Sequence, residues 1–536
     1  MQFDALKYDY PSSRRVMYAR GGMVCTTQPL AAQAGLSILR QGGNAVDAAI
    51  ATAACLTVVE PCSNGIGSDA FALVWLKRDE KLYGLNASGV APLGLDAQTI
   101  RCEYETMPRL GWLSVTVPGA PSAWAALSEK YGRLSFEKLL QPAIAYAKNG
   151  YPVSPTIAYA WHRALADFEK NLPEPFLTEW KRVFAPRGRE PLAGETVNLP
   201  EHAATLEEIA ATKAESFYKG AIAKKIDAYS RMTGGIIRME DLAAYHPLWV
   251  EPISTNYRGY TVSEIPPNGH GIIALMALNI YEGFSTTERD TAENIHRQIE
   301  SMKLAFVDGR HYIADPRSMT AKVEQLLSKE YAARRRALIG STVLAPQYGD
   351  PYCGGTVYLC TADSDGNMVS YIQSNYIGFG SGVVVPGTGV SLQNRGCNFY
   401  LDPASDNCIQ PGKRPYHTII PGFLSKDGRA IGPFGVMGGF MQPQGHFQVV
   451  TNTIDFHMNP QEALDAPRWQ WVGDKNIEIE RSFSPSVTEQ LIRMGHNVTV
   501  VPDGHAMGSG QIIWRTDDGT LMGGTEPRAD GCVALY

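Results

Sequence analysis

The sequence predicts an α+β protein in which a helix-rich first part meets a strand-rich last part at one seam. Three observations predict it. Before residue 353, apolar residues recur mostly at helical spacing, with short strands between. After it, short strands are separated by glycine-rich turns. The seam itself, Cys353-Gly354-Gly355-Thr356-Val357-Tyr358-Leu359-Cys360, places two glycines directly before the first residue of a strand.

The elements follow in order. Thr26 and Thr27 are placed to cap a helix through Pro29–Gln41, ended by Gly42-Gly43. Asn44-Ala45 starts a second apolar helix that stops near Glu60-Pro61. Ser63 to Ala70 contains a G-x-G-x-x-A match, but a dinucleotide site needs a strand before it and a helix after it. Here Phe71–Trp75 reads as a strand after the loop, so the nucleotide reading is rejected. Residues 120–150 and 155–170 have helical patterns, and Pro200 to Ala228 reads as a helical pair. Tyr257–Ile265 reads as one strand running into the rigid turn at 266–271, with helices at 271–283 and 291–307. A polar, Arg-rich segment spans 325–350. After the seam, Val357–Thr361 and Met368–Ile372 form a hairpin about Asp363-Ser364-Asp365-Gly366-Asn367.

Composition narrows the function. The 536 residues are 44% hydrophobic and 19% charged, which suits a globular protein with a large core. A net charge of -6 without a basic run argues against nucleic acid as a partner. No apolar run reaches the ~18 residues of a membrane span, and Met1 to Arg20 lacks the apolar region of a secretory signal. Nine scattered cysteines without a C-x-x-C pair lead to the expectation of a reduced, cytoplasmic protein. The 11 histidines show no metal-ligand spacing, and H-E-x-x-H, G-x-S-x-G and P-loop motifs are absent.

Two features carry chemistry. Thr356, behind Gly355, is placed to become a new N-terminus whose hydroxyl is the nucleophile and whose freed amine is the base. Alone, that signal is weak, because a Thr opening a buried strand is far more often a structural residue than a catalytic one. Gly438-Gly439, in Phe434 to Phe440, offers adjacent backbone N–H groups of the kind an oxyanion hole needs, or simply a turn.

Over nearly its whole length the chain resembles the gamma-glutamyltransferase family. The resemblance rests on "GMVCTTQPLAAQAGLSILRQGGNAVDAAIATAACLTVVEPCSNGIGSDAF", "GETVNLP", "FYKG", "GGIIRMEDLAAY", "SMKLAFVDGRHYIADP", "SGVVVPGTGV", "NPQEALDAPRW" and "GGTEPRADG", all in family order. It implies the four-layer αββα sandwich of N-terminal-nucleophile hydrolases. It also implies self-cleavage at Gly355–Thr356 into residues 1–355 and 356–536, a heterodimer of the chain's own fragments, and it leaves a dimer of these open. By motif position Thr356 is the nucleophile, Gly438 and Gly439 hold the oxyanion, and Ser374 holds the nucleophile's amine. No metal or organic cofactor is implied, because nucleophile, base and oxyanion donors all come from the chain.

The substrate positions depart from the family. Ser88, in Asn86 to Pro92, stands where members have an Arg that grips the glutamyl carboxylate. Asn398, before Phe399, replaces the Asp that holds the α-amino group. His417-Thr418 replaces a Ser-Ser pair, and Tyr400 to Gly412 is shorter than the family's lid. Losing two charge-assisted contacts of ~1.5–3 kcal/mol each leaves a standard γ-glutamyl group poorly held. Arg395 lies beside the substrate-reading positions, as does Tyr376. It either binds a carboxylate on a different acyl group or bridges the two glycine-rich turns. "SVTVPGAP", "IQSNYIGFGSG" and "MQPQGH" are similar to a divergent branch of oxamate amidohydrolases and cephalosporin-acylase-like proteins. The expected function is hydrolysis of a small carboxylate-bearing amide, oxamate-like or glutaryl-like. The alternatives are a γ-glutamyltransferase or glutathione hydrolase, and an inactive scaffold of the same fold.

Overall fold

A computed structural model describes residues 9–12, 14–345, 355–502 and 504–536. Cys353 and Gly354 of the seam, and the end of the polar segment before it, lie outside the described residues. Two seven-stranded sheets dominate. The first runs in the order Met17–Ala19, Leu521–Thr525, Ser509–Arg515, Arg429–Met437, Gly422–Lys426, Tyr260–Glu264 and Ile253–Tyr257. The second runs Cys532–Leu535, Gly22–Thr26, Gly355–Asp363, Met368–Tyr376, Asp69–Leu76, Lys81–Ala87 and Leu248–Val250. Both sheets therefore mix strands from before and after the seam.

Local chemistry explains the elements, including those that differ from expectation. Asn44 caps Ala45–Val59 through a reciprocal bond with Asp47. Pro29–Arg40 starts differently. Its cap residue is Gln28, Thr26 ends a strand, and Thr27 donates its hydroxyl to Glu60 at 2.6 Å. The expected single strand at 257–265 is a hairpin, Ile253–Tyr257 and Tyr260–Glu264, turned by Arg258 and Gly259 at φ 49° and 84°. The expected pair at 200–228 is three helices, because Lys213 and Ala214 break the run at positive φ. The polar segment holds short helices at Val323–Leu326 and Lys329–Arg336. Met441–Ile454 is a helix the periodicity hid, since it is buried on every face.

Three apolar clusters place the sheets. Met23, Cys25, Phe71, Leu73, Tyr358, Cys360, Ile372, Phe423 and Ile513 pack between them. Helices Pro29–Arg40 and Ala45–Val59 pack with the outer face of the second sheet. Helices Gly271–Tyr281, Ala292–Tyr312 and Met441–Ile454 pack with the outer face of the first. The sheets approach closely where Gly435 faces Tyr358. A Cβ on Gly435 would stand 2.5 Å from that ring.

A buried polar clamp holds the chain shortly before the seam. Lys303 Nζ lies 2.8 Å from Glu300 Oε1 and donates to the Leu344 carbonyl at 2.6 Å. Leu344 N donates to Glu300 Oε2, and His296 Nε2 faces the Gly340 carbonyl at 3.0 Å. His496 Nε2 contacts His296 Nδ1 at 2.8 Å. The structure thus brings His296, Glu300 and His496 within metal-ligand reach of one another, which sequence spacing missed. Lys303 already supplies the positive charge there. Lys303→Met should cost about 3–5 kcal/mol by leaving Glu300 buried and unpaired, and adding Glu300→Gln should recover most of it in chemical denaturation.

Candidate active site

The strand Gly355–Asp363 is central in its sheet. It pairs with Met368–Tyr376 on one side and Gly22–Thr26 on the other. Its register slips between Gly355 and Val357, and Thr356 sits at that bulge. A bulge releases one residue from the ladder and re-aims its side chain. Thr356 is buried, and its Oγ1 lies 2.9 Å from Ser374 Oγ. Ser374 Oγ also accepts the Tyr376 N–H at 2.7 Å. Tyr376 holds φ 78°, a strained conformation for an aromatic residue.

That conformation sets the Tyr376 ring against Arg395. The guanidinium carbon lies 4.2 Å from the ring centroid, and Nη1 donates to Thr418 Oγ1 at 2.6 Å. Arg395 is fully buried, and among the described residues its Nε and Nη2 have no hydrogen-bond partner. Burial lowers its pKa to about 10, against the opposing pull of Asp69. Leaving such donors unmet is costly, so this buried guanidinium calls for an acceptor.

Asp69 is a buried charged residue of this site that sequence reasoning did not single out. It lies opposite Ser374 in the sheet register. Its Oδ2 is 3.0 Å from His417 Nε2, and its Oδ1 accepts the Gly89 N–H at 3.0 Å. Burial lifts its carboxyl to about 7, with Arg395 pulling the other way. The available signal was a charged residue opening an otherwise apolar, wholly buried strand, Asp69–Leu76.

The other expected positions divide. Thr418 joins Arg395 directly. His417 Nδ1 accepts the Ile419 N–H at 3.4 Å and its Nε2 meets Asp69, so both nitrogens are used within the protein. Burial and then Arg395 push its pKa well down, which keeps it neutral. Ser88 is buried, donating to Asn86 Oδ1 at 2.7 Å, while its carbonyl accepts from Arg414. Asn398 donates to the Tyr416 carbonyl at 3.1 Å and ties two loops together.

Gly438 and Gly439, at φ 136° and 58°, turn the chain from Arg429–Met437 into the helix Met441–Ile454. Their carbonyls accept from Met441 N and Gln442 N at 3.0 and 3.1 Å. In a trans peptide the N–H opposes the C=O, so the Gly439 N–H faces away from the helix. Phe440, the next residue, stacks on Tyr416 at 6.1 Å and 24°. Tyr416 leads into His417-Thr418, which joins this turn to the Arg395 pocket.

Comparison with known proteins fits this geometry. Residues 31–536 match the family described as Gamma-glutamyltranspeptidase. The chain is 36% identical over 519 residues to the glutathione hydrolase-like YwrD proenzyme of Bacillus subtilis, covering 95% of this chain and 98% of that protein. It is 33% identical over 527 residues to the oxamate amidohydrolase proenzyme of Klebsiella pneumoniae, covering 96% and 98%. The crystal structure of a cephalosporin acylase from Bacillus halodurans superposes with a TM-score of 0.95 at 57% identity, over 100% of this chain and 99% of that one. The chain belongs to the gamma-glutamyltranspeptidase family. It is an enzyme of the N-terminal-nucleophile amidohydrolase and acyltransferase kind.

A pH dependence follows from Asp69. Below pH 7 its carboxyl is protonated, and the Arg395 pocket keeps its full positive charge. Above pH 7 the new anion offsets that charge. A dicarboxylate probe such as glutarate should bind more weakly by on the order of tenfold between pH 6 and 8. Asp69→Asn should flatten that profile in an inhibition assay.

Proposed function

We propose that this chain is a self-cleaving threonine amidohydrolase that hydrolyses a small amide whose acyl part carries a carboxylate, glutaryl-like or oxamate-like. The observation that carries this reading is Arg395, a buried guanidinium with two unmet donors, reached from Thr356 through Ser374 and Tyr376. The architecture is read as the four-layer αββα sandwich, shared by fragments 1–355 and 356–536.

Maturation begins when the Thr356 hydroxyl attacks the Gly355 carbonyl. Acyl shift from nitrogen to oxygen, then hydrolysis, frees the Thr356 amine. In turnover that amine takes the hydroxyl proton as Oγ1 attacks the substrate carbonyl, an amine near its pKa being suited to this work. The Gly439 and Gly438 N–H groups stabilise the oxyanion. The proton passes to the leaving amine, and water releases the acid from Thr356. Ser374 positions the nucleophile, while Arg395 and Thr418 hold the acyl carboxylate.

The second reading, a γ-glutamyl hydrolase, is favoured by the relative named as glutathione hydrolase-like. It needs a carboxylate for the substrate's ammonium. Asn398 is uncharged, and Asp69 is engaged with His417. The two readings separate in kinetics on glutaryl, oxamyl and γ-glutamyl p-nitroanilides. The glutaryl or oxamyl amide should turn over fastest. Arg395→Ala should raise its KM about 10–100-fold, as expected for a lost charge-assisted pair, with a smaller change in kcat. Preferred turnover of the γ-glutamyl anilide, unaffected by Arg395→Ala, would favour the second reading.

A further inference from the structure

The rigid turn at 266–271 comes from the part of the chain before the seam, yet its bonds run to the loop that carries Thr418. His417 N donates to the Asn268 carbonyl and His270 N donates to the His417 carbonyl, both at 2.9 Å. Gly269 and His417 thereby pair in a single parallel bridge. Asn268 Nδ2 donates to the Pro415 carbonyl at 2.8 Å. His270 Nδ1 lies 3.0 Å from Tyr416 Oη, and the two rings meet edge to face at 5.5 Å and 90°. Three successive residues, Pro415, Tyr416 and His417, are each tied to the turn. Thr418 comes next, and its Oγ1 accepts from Arg395 Nη1 at 2.6 Å.

Residues 413–421 form no strand beyond that bridge, so the direction of Thr418 depends on such individual ties. Among them, the His270–Tyr416 contact joins two side chains. Asn268 is shared with another wall, since it also accepts from Asn86 and donates to Ser88. His270 is wholly buried. Burial, and then the Arg395 charge, pushes its pKa well down and keeps it neutral. The field of the guanidinium therefore reaches the imidazole, which supplies a hydrogen bond without adding a second buried cation.

We propose that His270 is a positioning residue: through Tyr416 it fixes the approach to Thr418, and so the direction in which Arg395 offers its unmet donors to the acyl carboxylate. This rests on the amidohydrolase reading above, in its glutaryl form. A pocket carried by residues after the seam is then held in place by a side chain from before it.

The test compares kcat and KM for glutaryl and valeryl p-nitroanilides, which differ only in a terminal carboxylate against a methyl. The processed wild type, His270→Phe, His270→Asn, Tyr416→Phe and the double variant H270F/Y416F are assayed. The wild type should favour the glutaryl anilide. His270→Phe and Tyr416→Phe remove the same bond from opposite sides. Each should cut the glutaryl-to-valeryl ratio of kcat/KM by about three- to tenfold, the size of one neutral hydrogen bond, mainly through the glutaryl KM. The double variant should be no worse than the worse single variant by more than about twofold. His270→Asn, whose amide stands where Nδ1 did, should recover part of the ratio. Phe variants slowed equally on both anilides, or with the wild-type ratio unchanged, would overturn the proposal and leave the amidohydrolase reading standing. Tyr416→Phe removes only a hydroxyl, so it decides the matter if His270→Phe does not fold. A wild type that does not favour the glutaryl anilide removes both.

Discussion

The structure depends on one strand having two sets of partners. Gly355–Asp363 is hydrogen-bonded to Gly22–Thr26 on one edge and to Met368–Tyr376 on the other. The latter strand pairs in turn with Asp69–Leu76. Segments from both sides of the seam are therefore locked side by side in the middle of a sheet. A break in the chain just before Thr356 would cost no ladder hydrogen bond on the Gly22–Thr26 edge, which starts only at Leu359. The bulge at Thr356 sits where the strand is released from strict register, so Thr356 gains freedom without loosening the core.

The second organising feature is electrostatic. Arg395, Arg414 and Asp69 are all buried in the same region, while His417 is held neutral. With Asp69 tied to His417 and Gly89, the balance is a surplus of positive charge in a desolvated pocket. Buried charge of this kind is costly unless something pairs with it. The Ser88 side chain, by contrast, is closed in by Asn86 and Asn268, and its carbonyl accepts from Arg414.

Much of this was legible in the sequence, for reasons that can be named. Gly-Gly before a strand, the Asp363–Asn367 turn and the Asn44 cap are local signals, and the chain obeys them locally. Arg395 stood out because it lay beside positions whose usual charges were missing. Asp69 was hidden because its partners, His417 and Arg395, are more than 300 residues away. The His296–His496 contact was hidden for the same reason, being 200 residues apart in sequence. Tyr376 is recognisable as special only through its backbone angle. The hairpin at 253–264 was missed because Arg258 at positive φ gives no compositional warning that Gly259 alone would not. The helix Met441–Ile454 was missed because a helix buried all round has no polar face to mark its period.

The central claim is that Thr356 is both the site of self-cleavage and the nucleophile. The most direct measurement is the intact mass of the purified wild-type protein and of Thr356→Ala. The account predicts two wild-type fragments breaking at Gly355–Thr356, and a single uncut chain for the variant. A wild type that stays uncut after long incubation, or a Thr356→Ala chain that is cut at the same bond, would contradict it.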